Sequence, residues 1–281
     1  MAIKVVTDSG ADIPSELAKK LGITVVPLTV SFGDESYKDG VEISADEFYN
    51  RLTQGEIMPT TSQPSVGSFV ETYRQLEPAS NEILSIHVSS KLSGTMNSAT
   101  QAAKEENIEN GIEFVDSWQA SMGLGFSVIA AAEAVKAGAS LSEAASAARS
   151  VLERTNVFIL FETLKYLEKG GRIGRAQALV GSVLQLKPIL TLDQGEIATK
   201  VKVRTFAKGI RSLEELSEGC GKLERAAVLY TTDKDKANTL GERIQNFADP
   251  STEPLVVRLS PAIGTHGGPG VLGIICVTSM G

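Results

Sequence analysis

Apolar and polar positions fall into alternating short blocks over the first half of the chain. Residues 3–7 are an apolar, β-branched run that gives way to Asp8-Ser9-Gly10 and then to a helical pattern from Pro14 to Gly22, the spacing of a β-turn-α unit. Residues 24–32 read as a second strand. Ser44 and Glu47 stand three apart, as in a capping box, and open a helix that Gly55 closes. The pattern returns as a strand at 83–88, a helix over 95–106, a strand at 112–115 and a long helix over 120–137. Such alternation predicts a mostly parallel sheet flanked by helices.

A second capping box, Ser140 with Glu143, opens another helix, and beyond the strand at 156–161 the pattern changes. Residues 188–192, the turn Asp193-Gln194-Gly195 and residues 196–204 predict a β-hairpin, which a purely parallel fold does not need. A helix over 206–218, a strand at 226–230, a helix through Arg243 and strands near Leu255 and Ile274 complete an α+β half with a mixed or antiparallel sheet. The expected fold class is α/β with two domains, 1–154 and 155–281.

Composition narrows the function. The 281 residues are 42% apolar and 22% charged, with a formal charge of −7 and no basic run, so nucleic acid is not an expected partner. The most apolar stretch, 118–132, is too short and too interrupted to span a bilayer. The start lacks the pattern of a signal peptide, and a cytoplasmic location is expected. Cys220 and Cys276 give no disulfide framework. His87 and His266 lack metal-ligand spacing, so no metal is expected.

Candidate chemistry lies in loops. Thr60-Thr61-Ser62-Gln63-Pro64-Ser65 and Ser89-Ser90-Lys91-Leu92-Ser93-Gly94-Thr95 each place hydroxyls just before a helical pattern, where free N–H groups and Ser or Thr donors can hold an anion. Ser65, Ser93 and Thr95 could equally serve as helix caps. The segment from Gly264 to Gly270 sets four glycines around His266, so that backbone and imidazole can approach a ligand. Its G-x-G-x-x-G spelling, from Gly268 to Gly273, lacks the helix and the later acidic residue of a dinucleotide site. Lys169-Gly170-Gly171-Arg172 opens a basic patch suited to a partner, to a transient membrane-surface contact, or to plain solvation. The small residues after Trp118 either pack a buried helix tightly or leave room beside it for a slender ligand. A serine hydrolase of acyl esters using Ser93 and His266, with Asp8 as third member, is an alternative without a nucleophile elbow in the sequence.

Taken in order, Asp8-Ser9, Thr61-Ser62-Gln63-Pro64-Ser65, Ser89 to Thr95, Gly170-Gly171-Arg172-Ile173 and Thr265-His266 with Gly268-Pro269-Gly270 resemble the DegV family. That family includes the FakB subunits of bacterial fatty acid kinase. The resemblance implies a non-enzymatic carrier that binds one long-chain fatty acid, of the palmitate, stearate or oleate class, in a buried tunnel between two domains. It implies that Thr61, Ser93 and His266 hold the carboxylate, that Ser62 and Gly94 support them, and that Arg172 serves partner contact. It further implies that a separate kinase subunit makes the acyl phosphate. No cofactor is implied. Three neutral donors are expected to hold the carboxylate without a lysine or arginine charge, and Thr61→Ala or Ser93→Ala is expected to leave the ligand-free melting temperature nearly unchanged.

Overall fold

A computed structural model describes residues 2–55, 57–76, 81–181, 186–246, 248 and 253–280. The first sheet is fully parallel and joins β1 (Ala2–Asp8), β2 (Ile23–Val26), β6 (Asn81–His87) and β7 (Ile112–Asp116) in the order β2-β1-β6-β7. Its side chains alternate between two apolar layers. Val5, Leu84 and Ile86 pack on α1 (Ser15–Leu21), α5 (Met122–Lys136) and α6 (Leu141–Glu153), whereas Val6 and Ile83 pack on α3 (Val66–Gln75) and α4 (Thr95–Glu106). The period of two puts successive residues on opposite faces, and helices cover both.

The second sheet is mixed. It contains β8 (Thr155–Leu160), β9 (Lys187–Asp193), β10 (Glu196–Val203), β11 (Leu223–Tyr230), β12 (Leu255–Arg258) and β13 (Leu272–Thr278), in the order β10-β9-β8-β13-β11-β12. Only β11 and β12 run parallel within it. One face carries Phe158, Val228 and Ile274 against α8 (Phe206–Glu218) and α9 (Lys234–Ile244). The other carries Val157, Leu229 and Ile275, which share a core with Met122, Phe126 and Ile129 of α5. The first eight residues of α5, Met122 to Ile129, are buried, and the helix thus lies between the sheets. Gly125 permits this approach, because a Cβ there would fall 2.7 Å from the Ala11 carbonyl oxygen. Tight packing is the role of these small residues, since no residue of α5 lines the cavity described below.

A third, antiparallel sheet was not expected. It joins β3 (Thr29–Phe32), β4 (Glu35–Lys38) and β5 (Thr60–Ser62) in the order β4-β3-β5, under α2 (Ala45–Gln54) and α10 (Pro261–Gly267). The strand expected over 24–32 is therefore two strands in different sheets. Pro27 lies between them and has no N–H for a ladder, and Leu28 instead donates to Ser9 Oγ at 3.0 Å. The segment from Gly264, read as a glycine loop, begins inside α10; Ser260 as N-cap and Pro261 at the first helical position had announced that helix. A short α7 (Lys165–Lys169) was also missed. No helix among the described residues is long and apolar enough to cross a membrane.

Candidate functional site

The C-terminal ends of β1 and β6, the face of the mixed sheet and α10 line an apolar cavity whose empty space, with the solvent at its mouth, is about 1040 Å³. Val157, Ile159, Leu190, Leu229 and Ile275 form its wall, and Thr61, Ser93, Arg172 and His266 all line it, Thr61 bonded to His266 and Arg172 to the carbonyl of Leu92 beside Ser93.

Each of those four arrives by a different device. Thr61 is the middle residue of β5, so its side chain points opposite to those of Thr60 and Ser62, both exposed. Ser62 accordingly does not line the cavity. Ser93 sits just before α4, and its Oγ lies 2.8 Å from Thr95 Oγ1 while accepting from Thr95 N at 3.4 Å. His266 lies in the last turn of α10, with Nε2 2.8 Å from Thr61 Oγ1 and Nδ1 buried without a partner. Gly170 ends α7 against that Nδ1 and could not carry a Cβ without overlapping it. Ser65 is the N-cap of α3, accepting from Ser68 N at 3.1 Å, which is the capping role open to it from the sequence.

Arg172 changes the electrostatic picture. Gly171 adopts φ 68°, and the chain turns so that Arg172 Nε donates to Leu92 O at 3.1 Å and Nη1 to Gly170 O at 2.8 Å. The half-buried guanidinium therefore lines the cavity, and the site has an arginine charge that the three-donor expectation left out. Burial first, and the positive charge of Arg172 second, push the His266 imidazole down to about 4. At neutral pH the imidazole is uncharged and offers one N–H. The arrangement can hold a single carboxylate with two hydroxyls, an imidazole and a guanidinium, while the apolar walls take a hydrocarbon tail.

Gln63 was not singled out in the sequence, yet it lines the cavity beside Thr61. Its carboxamide packs on Gly94, where a Cβ would fall 2.8 Å from Gln63 Nε2, so Gly94 supports the site by leaving that space. A triad of Ser93, His266 and Asp8 does not assemble. Asp8, fully buried, accepts from His87 Nδ1 at 2.9 Å and from the backbone of Gly10 and Val88, both at 3.0 Å. It faces His87 because β1 and β6 are neighbours in the sheet. The partner of Ser93 is Thr95 and that of His266 is Thr61, so Ser93 and His266 are not hydrogen-bonded to each other. Among the described residues no three His, Cys, Asp or Glu side chains are grouped to hold a metal.

The family model described as an uncharacterised protein of the DegV family matches residues 2–279. A DegV domain-containing protein of Streptomyces coelicolor is 39% identical over 276 residues, covering 97% of each chain. Among solved structures, the DegV family protein of Thermus thermophilus described for its fatty acid binding superposes with a TM-score of 0.91 at 34% identity, covering 99% of this chain and 100% of the other. A stearic-acid-binding protein of Eubacterium ventriosum superposes with a TM-score of 0.89 at 26% identity, covering 99% and 98%. With a family model matching nearly its whole length and a relative 39% identical over 276 residues, the chain belongs to the DegV family.

Proposed function

We propose that this protein binds one long-chain fatty acid, with its tail in the apolar cavity and its carboxylate held by Thr61, Ser93 and His266, and that Arg172 supplies the positive charge beside it. The single observation that carries the reading is that these four side chains line one otherwise apolar cavity. The relatives described as binding fatty acids support it.

The energetics divide between the two ends of the ligand. Burying about 14 methylenes at roughly 0.8 kcal/mol each supplies on the order of 11 kcal/mol before the costs of association are subtracted. The tail therefore provides affinity. The head-group donors provide orientation, because an ionised carboxylate taken out of water must be hydrogen-bonded. A carrier needs no more than this, and the carboxylate so oriented would be presented to a separate fatty acid kinase subunit, the catalysis lying in that partner.

Titration with a fluorescent long-chain fatty acid tests the reading. Ser93→Ala or Thr61→Ala should weaken binding by about 1 to 3 kcal/mol, the cost of leaving a buried charged acceptor short of a donor. Wild-type affinity in both variants would overturn the head-group assignment.

A further inference from the structure

His266 rides on a helix that is too short to be stable by itself. α10 has seven residues, fewer than an isolated helix needs in water. Its position is set by bonds from the first 61 residues of the chain. Tyr49 Oη donates to Leu259 O at 3.1 Å, Ser260 N donates to Asp12 Oδ1 at 3.0 Å, and Ala262 N donates to Asp39 Oδ1 at 3.3 Å. At the far end Thr61 meets His266. Pro261 has no N–H, and Ile263 N donates to Ser260 Oγ at 3.5 Å. Every donor at the start of α10 is thus satisfied, two of them by carboxylates that cross from the other half of the sequence.

These carboxylates are unusually placed. Asp12 is 8% exposed and Asp39 2%, and the second oxygen of each has no hydrogen-bond partner. Asp12 adopts φ 52°, the left-handed region that Asp tolerates better than most residues, and so turns its carboxyl towards Ser260. Burial is the main cause that raises Asp12 to about 7 and Asp39 to about 6. The groups around Asp12 are the Ser121 and Ser260 hydroxyls, which ease its charge, and Asp39, which opposes it. Around Asp39 are the Ser9 and Ser260 hydroxyls and the opposing Asp8. The Tyr49 phenol faces both acids and also feels Arg258 and Tyr230.

We propose that Asp12 and Asp39 are positioning residues of the head-group site: by holding the N-terminus of α10 they keep His266 on Thr61, and their charge makes that hold depend on pH. This rests on the fatty acid reading for its ligand, not for its geometry. When α10 lifts, water reaches both carboxyls and they return towards the ordinary carboxylate range. Deprotonation then favours the lifted state, so the hold is firmest below about pH 4, weakens as pH rises from there through about 6 for Asp39 and about 7 for Asp12, and changes little above. Asparagine at either position keeps an acceptor oxygen for the helix and removes the titration. Alanine removes the acceptor and leaves a buried N–H unpaired.

The test is the dissociation rate of a fluorescent fatty acid from wild type and from Asp12→Asn, Asp39→Asn and Asp39→Ala, at pH 6 and pH 8. Dissociation from wild type should be about tenfold faster at pH 8, because Asp12, raised to about 7, leaves roughly one pH unit of its window between pH 6 and pH 8. Each Asn variant should lose part of that rise and release no faster than wild type at pH 8, while Asp39→Ala should release faster at both pH values. Because each variant is compared with wild type at the same pH, ionisation of the ligand cancels. Asn variants that keep the full wild-type pH dependence, or an Asp39→Ala variant that behaves as wild type, would overturn the proposal. If no fatty acid binds wild type, the fatty acid reading fails. The hold is then judged by ligand-free melting: the advantage of Asp12→Asn over wild type should grow from pH 6 to pH 8, and a constant difference would overturn the proposal.

Discussion

Thr61 and His266 satisfy each other before any ligand arrives, and this changes what their replacement does. Thr61→Ala leaves His266 Nε2 as unpartnered as Nδ1 already is, so the ligand-free protein loses about 1 kcal/mol and its melting temperature falls by about 2 °C. The nearly unchanged melting temperature expected from the sequence leaves out that direct bond. The imidazole itself is open to measurement, because His87 is the one other histidine in the chain. In the ligand-free protein the NMR titration of His266 should have its midpoint near 4, with the ring neutral above it. Added fatty acid should raise that midpoint, since a carboxylate beside the ring favours the charged form. A ligand-free midpoint near the ordinary histidine value, or no rise with ligand, would contradict the site as described. The sequence singles out the loops that carry Thr61 and Ser93, and both residues line the cavity. The fold-back of Arg172 was not, because it depends on where Leu92 lies in space.

Among the elements, those with strong periodicity or clear caps were legible. α4 covers Thr95–Glu106 as the pattern predicted, and the turn of the β9-β10 hairpin has positive φ at both Gln194 and Gly195, the geometry that its composition implied. Short elements defined by pairing were not legible: the three residues of β5 are a strand only because β3 lies beside them. α7 and α10 likewise depend on each other, since Gly170 at the end of α7 is where His266 of α10 packs. The backbone of Gly170 is in the right-handed helical region, so a methyl group there meets no conformational penalty; it overlaps the imidazole and comes within 3.0 Å of the Tyr166 carbonyl oxygen. Gly170→Ala should therefore displace the ring from Thr61 and weaken fatty acid binding by about tenfold or more, while costing the ligand-free fold about 1 to 3 kcal/mol of overpacking. Chemical denaturation and a binding titration on the same sample measure both. Undiminished affinity would mean that the imidazole is not needed where the structure puts it.

At the scale of the molecule, the parallel and mixed sheets follow from the order of strands and helices, because crossover helices demand parallel neighbours and hairpins antiparallel ones. The division proposed from the sequence at 154 and 155 falls between α6 and β8. The tunnel is expected from the family resemblance and not from any local pattern, because its lining runs from Gly10 to Ile275 and only packing decides whether the space between is filled or empty. Arg172 to Leu92 O, Ser89 Oγ to Gly195 O at 2.8 Å and Thr61 to His266 join the two halves of the chain, together with the bonds that hold the start of α10. The central claim is that this space holds the tail of one fatty acid. Native mass spectrometry of the protein as purified, followed by organic extraction, tests it most directly: the account predicts one long-chain fatty acid per chain, and a clean ligand-free mass that stays unchanged with added palmitate or oleate would contradict it.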